Sequence, residues 1–262
     1  MRLFDAHNHL QDNRLPDDTA SMMAECTEAG LVRMVVNGTH EADWERVADL
    51  AKRHDCVLPS FGLHPWFVHE RSADWLARLV QHLDAWPSAV GEIGLDRWKP
   101  GLPYDEQEEV FLAQLNLAAE RNLAASIHCL KSWGRLLELL KENRTPDRGF
   151  LLHSYGGPAE MVEPLANLGA YFGFPGYFAH ERKKRQREVF RRVPADRLLI
   201  ETDAPDQALP GERVTHPLDQ GLNHPANIAT VYRAAAEALG VGVQREGQAD
   251  TQRHENAKHT LH

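Results

Sequence analysis

No stretch of this 262-residue chain approaches the roughly 18 consecutive apolar residues that a membrane-spanning helix needs. The first apolar run is short and broken by Asp5, so the N-terminus does not read as a signal peptide either. Cysteine is scarce. Cys26, Cys56 and Cys129 are odd in number and scattered, which excludes a disulfide framework and predicts a cytoplasmic protein with three small core thiols. Basic charge is in deficit too: the net charge of −9 argues against broad adhesion to nucleic acid or anionic membrane. It still admits a phosphate-bearing substrate, because bound metal makes one pocket positive while the remaining surface stays acidic. There is no G-x-S-x-G elbow, and no cysteine has a convincing catalytic partner, which disfavours a nucleophilic hydrolase. Repeats, linkers and low-complexity tracts are missing as well.

What is present is an alternation. Runs with strand character are RLFDA, LVRMVVN, VLPSFGL, AVGEIGL, LAASIH, GFLLHS, LGAYFGF and RLLIET. Between them lie helical patterns over about 16–29, 41–53, 72–85, 105–121, 132–142, 158–168, 181–192 and 225–239, the first and last closed by Gly30 and Gly240. Several strands are apolar on both faces, as in a parallel sheet covered by helices. Strict alternation at this length predicts an α/β fold, a single (β/α)8 TIM-type barrel, with a doubly wound open sheet as the competitor. The barrel spans 1–243, and 244–262 reads as a polar, histidine-rich tail poor in apolar anchors.

The barrel reading is favoured by where the chemically capable residues fall, at the C-terminal ends of many different strands. His7 and His9 close the first run, two apart and therefore on one face, with Asp5 on that face too. His64 follows the third, Glu92 and Asp96 the fourth, His128 the fifth, His153 the sixth, and Glu201 and Asp203 the eighth. Imidazoles and carboxylates at the ends of buried strands are costly unless something satisfies them, and a divalent ion satisfies several at once. Nitrogen with oxygen donors and no thiolate suits a catalytic zinc, magnesium or manganese rather than a structural zinc. The expected arrangement is one or two ions: His7, His9 and Asp203 on one, His128 and His153 on the other, and Glu92 bridging. Gly91 and Gly94 flank Glu92 and open room beside it. Asp203 doubles as the base for a metal-activated water. Glu201, on the same face, is expected to orient a ligand by hydrogen bond, and Asp96 reads either as such a support or as structural.

The ordered run DAHNHL, GLHP, GEIGLD, IH, LHSYGG, LLIETDAP, NHP resembles the TatD family of metal-dependent hydrolases, over nearly the whole chain. The resemblance implies a (β/α)8 barrel with a mono- or binuclear divalent site that hydrolyses phosphodiesters, typically as a deoxyribonuclease of 3′–5′ exonuclease type. Carried over by position, the family's ligands fall on His7, His9, Glu92, His128, His153 and Asp203, and His64 falls beside the substrate phosphate. Where the family often has arginine shortly after the fifth-strand histidine, Cys129 and Leu130 precede Lys131, the candidate phosphate contact here. Asp206 replaces an aromatic after the last strand, and the tail ENAKHTLH keeps an Asn-Ala pair without the usual aromatic.

Three readings stay open in the sequence. His64 is either a substrate contact or loop packing. Trp66, Trp98 and Trp133 follow site-bearing strands and either stack on a base or plug loops. The basic stretch ERKKRQR, 181–187, is either a solvated helix face or a track for a phosphate backbone near the active-site mouth. The expected partner is thus a nucleic acid or small phosphoester, with no membrane and no obligate protein partner. The alternative is the same metal chemistry on a carboxyl ester or amide, such as an aminoacyl-tRNA ester. A non-catalytic metal-binding protein ranks last, because Asp203 supplies the water-activating carboxylate.

Overall fold

The computed structural model describes residues 1–16 and 18–241. Eight parallel strands pair in chain order: β1 Leu3–Asn8, β2 Leu31–Asn37, β3 Val57–Phe61, β4 Ala89–Asp96, β5 Ala125–Leu130, β6 Phe150–Leu152, β7 Ala170–Pro175 and β8 Leu198–Glu201. Each is followed by a helix: α1 Thr19–Glu28, α2 Trp44–Arg53, α3 Trp75–Ala85, α4 Tyr104–Arg121, α5 Trp133–Glu142, α6 Val162–Asn167, α7 Lys184–Phe190 and α8 Ile228–Leu239. This is the expected (β/α)8 barrel, and the open sheet is excluded by how the ends meet. Just past β8, Asp203 N donates to His7 O at 2.9 Å and His9 N donates to Ala204 O at 2.7 Å. Closure therefore brings the first and last site-bearing strands together. The tail 244–262 lies outside the described residues.

Local chemistry explains the helix limits. Asp18 caps α1 by accepting from Ser21 N at 3.0 Å, Asn122 ends α4 in the left-handed conformation, and Gly240 does the same for α8. Helices α6, α7 and α8 begin later than the periodicity suggests, each preceded by a 3-10 turn, at Ala159–Met161, Glu181–Lys183 and Pro225–Asn227. The core lies between the barrel and its helices: Trp44, Val47 and Leu50 of α2 are buried, as are Phe111 and Leu115 of α4. Burying each such side chain contributes about 1.5–3 kcal/mol. Cys26 and Cys129 are buried and Cys56 half-buried, all as free thiols. No helix of the described residues is long and apolar enough to cross a membrane.

The barrel interior is polar at its C-terminal end. Gly94 has φ +146°, and a Cβ there would stand 2.0 Å from the His128 carbonyl oxygen. The space beside Gly91 is taken by Ser126, Asn37 and Ser60. The two glycines thus admit neighbouring strand backbone and interior side chains, which carry the site residues at close range.

Candidate metal centre

Glu92, buried on β4, is the hub. One carboxylate oxygen lies 2.9 Å from His153 Nε2, 3.1 Å from His128 Nδ1 and 3.4 Å from His64 Nε2. The other lies 3.2 Å from His9 Nε2 and 3.5 Å from His7 Nε2. Asp203 faces the same space, 3.5 Å from His7 Nε2 and 3.7 Å from His9 Nε2. It sits in the left-handed region, as do Ser154 and Lys131, so the residues just past β5, β6 and β8 share a constrained turn.

The far nitrogens are held. His7 Nδ1 lies 2.7 Å from Ser126 Oγ, and His9 Nδ1 lies 2.8 Å from the Asn37 carbonyl. His128 Nε2 lies 3.0 Å from Asp96 Oδ2, a carboxylate that also accepts from Trp66 Nε1 at 2.7 Å and from Trp98 N and Lys99 N. Imidazoles gripped on one nitrogen and convergent on the other have the arrangement of metal ligands oriented by their supports. His153 is different: its Nδ1 has no hydrogen-bond partner and lies 3.8 Å from Glu201 Oε1. Glu201 accepts from Ser154 N and Ser154 Oγ through that same oxygen, and its Oε2 is buried without a partner.

The electrostatics follow from this crowding. Burial alone raises a carboxyl pKa, but His153, His64 and His128 overcome it and hold Glu92 well below the ordinary range. Burial pushes His9 down, yet Glu92 and Asp203 outweigh it and lift the imidazole to about 10. Likewise Asp96 and Glu92 lift His128 to about 9 against burial. His64 goes the other way, to about 4, because burial exceeds the pull of Glu92. Asp203 is raised to about 7 and Glu201 to about 8, in both cases first by burial. Among the described residues no lysine or arginine pairs with Glu92, Glu201 or Asp203. A buried set of acids and imidazoles, unpaired with lysine or arginine and with nitrogen and oxygen donors converging, fits a divalent cation.

Three groups have donor atoms within 4.8 Å of one another: His7, His153 and Asp203; His7, His9 and Glu92; His64, Glu92 and His128. The sequence puts His153 with His128, and in the barrel His153 Nε2 lies 3.2 Å from His128 Nδ1, both facing the same Glu92 oxygen. His153 stacks on His7 at 4.2 Å between ring centroids, and His64 joins Glu92 and His128.

Above the cluster opens a cavity of about 380 Å³, lined by His9, His64, Glu92, His128, His153 and Asp203, and by Trp66, Phe67 and Trp98. Trp133 does not reach it, packing instead edge-on against Tyr155. Lys131 is exposed and is not part of the lining. The cations that do line it are Arg14, held between Asp12 and Asp206, and Arg46, bonded to Asn13 and the Gln11 carbonyl. The basic stretch is partly spent internally. Arg182 and Lys183 lie over the Tyr177 ring, and Arg187 donates to the carbonyls of Phe178 and His180. Missed from sequence were Gln11, Thr39, His40 and Asp43, which also line the cavity. The signal existed, since His40 follows β2 as the other site residues follow their strands.

Comparison with known proteins agrees with this geometry. Residues 4–260 match the family described as TatD related DNase. The metal-dependent hydrolase YjjV of Escherichia coli K12 is 30% identical over 240 residues, covering 90% of both chains. The 3′-5′ ssDNA/RNA exonuclease TatD of Shigella flexneri is 30% identical over 244 residues, covering 91% of this chain and 92% of that protein. The crystal structure of YjjV superposes with a TM-score of 0.83 at 29% identity, with 90% of each chain covered. An Entamoeba histolytica TatD family hydrolase shares the fold at a TM-score of 0.80 and 19% identity, over 92% of this chain and 93% of that one. This chain belongs to the TatD related DNase family.

Proposed function

We propose that this protein is a metal-dependent phosphodiesterase that removes nucleotides from the 3′ end of single-stranded nucleic acid. His7, His9, Glu92, His128, His153 and Asp203 would hold one or two divalent ions, with Glu92 as the ligand shared between them. The observation that carries this reading is the convergence of five imidazoles on one buried carboxylate at the floor of an open cavity. A bound divalent ion supplies the charge that lowers the pKa of an attacking water and offsets the negative charge of the phosphate.

The chain's own groups do the rest. Asp203, with Oδ1 3.5 Å from His7 Nε2 and lining the cavity, is the carboxylate placed to take the proton of the attacking water. His64 accepts at Nδ1 from Trp66 N at 3.2 Å, so its proton sits on Nε2, facing the cavity side of Glu92. Held neutral by burial, it donates from Nε2 to a phosphoryl oxygen. Asp96 positions His128 through its 3.0 Å bond to Nε2, whereas Glu201 stands 3.8 Å from His153 Nδ1 and bonds Ser154 instead. Because Lys131 stands off the lining, the phosphate contact falls to His64, and Trp66 and Trp98 offer faces for a base. The scattered free thiols support a cytoplasmic setting.

The test is purified protein with zinc, magnesium or manganese on a 3′-tailed DNA strand, a small phosphodiester and a carboxyl ester. Nucleotide release that stops in Asp203→Asn is the expected result. Turnover of the carboxyl ester alone moves the chemistry to a carbonyl centre. Tight metal binding without turnover of any substrate refutes a hydrolase.

A further inference from the structure

His40 has no part in the roles assigned above, yet it lines the same cavity as Glu92, His64 and Asp203. Its ring stacks on Phe67, with centroids 4.7 Å apart. Its Nδ1 lies 2.9 Å from Thr39 Oγ1 and 3.4 Å from Asp43 Oδ2. The Thr39 hydroxyl proton is committed, because it is donated to Asp43 Oδ2 at 2.8 Å. Thr39 Oγ1 therefore accepts from the imidazole, and Nδ1 carries a proton in either charge state. Nε2 is left as the nitrogen that gains and loses a proton, and among the described residues nothing pairs with it.

Asp43 is itself fixed. It is buried, accepts from Thr39 N with both oxygens, and accepts from Gln11 Nε2 at 3.2 Å. Gln11 also donates to the Asn37 carbonyl that holds His9 Nδ1. The His40–Asp43 pair is thus braced by the same main-chain oxygen as one of the proposed ligands. Asp43 and, more weakly, Glu70 favour the imidazolium, while burial and Arg46 oppose it, and the balance raises the imidazole above its ordinary value. Arg78 and Arg71 nearby are already paired, with Glu41 and Glu106 respectively.

We propose that His40 is the general acid of the hydrolysis, giving the Nε2 proton to the departing ribose oxygen. The inference rests on reading the site as a phosphodiesterase. The attacking water forms the new P–O bond and yields its proton to Asp203. The old P–O bond breaks with its electron pair left on the ribose oxygen, which takes the His40 proton, and solvent restores the imidazolium. An alkoxide is a poor leaving group, so its protonation is where an acid has the most effect.

His40→Gln tests this with two substrates in metal-loaded protein: an oligonucleotide, whose leaving group is an alkoxide, and thymidine 5′-p-nitrophenyl phosphate, whose leaving phenolate needs no proton. The expected result is a kcat loss of about 10²–10⁴-fold on the oligonucleotide and less than about threefold on the p-nitrophenyl ester, with the basic limb of the pH–rate profile lost. Equal losses on both substrates, or none on either, overturn the inference alone. A wild-type protein that cleaves neither substrate overturns the phosphodiesterase reading and this inference with it. In metal-free protein, NMR titration should place His40 above its ordinary pKa, and Asp43→Asn should lower it. An unchanged titration in that variant removes Asp43 as the positioning residue.

Discussion

Replacing Glu92 with glutamine removes one negative charge and keeps the size of the side chain. Its carboxylate lies 2.9 Å from His153, 3.1 Å from His128 and 3.2 Å from His9. An ion coordinated by those imidazoles at about 2 Å is therefore within about 4 Å of the lost charge. Unit charges at that distance attract by about 4 kcal/mol at an effective dielectric near 20, and a divalent ion doubles the figure. Part of this is returned, because an amide costs several kcal/mol less to bury than a carboxylate. The expected net loss is about 3–4 kcal/mol, or two to three orders of magnitude in metal affinity. Calorimetric titration of metal-free protein with zinc or manganese measures it directly. Thermal melts supply a second reading: ion at about 100 times the wild-type Kd stabilises the native protein by about 2.7 kcal/mol, and should stabilise Glu92→Gln by only a few tenths. Melts without ion supply the baseline, so any effect of the substitution on the empty fold cancels. Binding by Glu92→Gln within tenfold of wild type refutes the argument.

Asp96→Asn takes the charge from behind His128 and should weaken metal binding by about 10–100-fold; it should also change the emission of Trp66, which bonds the same carboxylate. Unaltered affinity speaks against Asp96 as a support. Asp43 has its folded pKa depressed, chiefly by His40 against burial, so its stabilisation is present above the ordinary carboxyl pKa and lost as pH falls through the folded value. Asp43→Asn should therefore cost most in urea unfolding near neutrality and least near about pH 3; equal costs at both contradict the linkage. Gly173→Ala would place a Cβ 2.1 Å from Glu201 Oε2 and should lower stability by about 1–3 kcal/mol, a loss that an unmoved urea midpoint would exclude. Trp98, 56% exposed at the cavity, should contribute about 1–3 kcal/mol to oligonucleotide binding if a base stacks there. Trp98→Ala should then raise KM for the oligonucleotide and leave a small phosphodiester unaffected, and equal effects on both would rule out stacking.

Much of the site is legible because it depends on where each strand ends. The period-2 spacing of His7 and His9 and the polar residues closing apolar runs at Glu92, His128, His153 and Asp203 are properties of single elements, and burial makes unsupported polar groups there costly. The regular alternation of strand and helix patterns carried the barrel in the same way. Relations between elements were another matter. That His153 stacks on His7, that His64 joins Glu92 and His128, and that Lys131 turns away while Arg14 and Arg46 line the cavity all follow from register and loop course.

The chain by itself therefore determined which residues stand at the barrel's C-terminal rim, since hydrophobic periodicity records the burial of one element at a time. Only the closed barrel decided which of them meet. The bonds from Asp203 to His7 and from His9 to Ala204 join residues nearly 200 positions apart. Such distances in space are set by strand pairing around the ring, which no local pattern encodes.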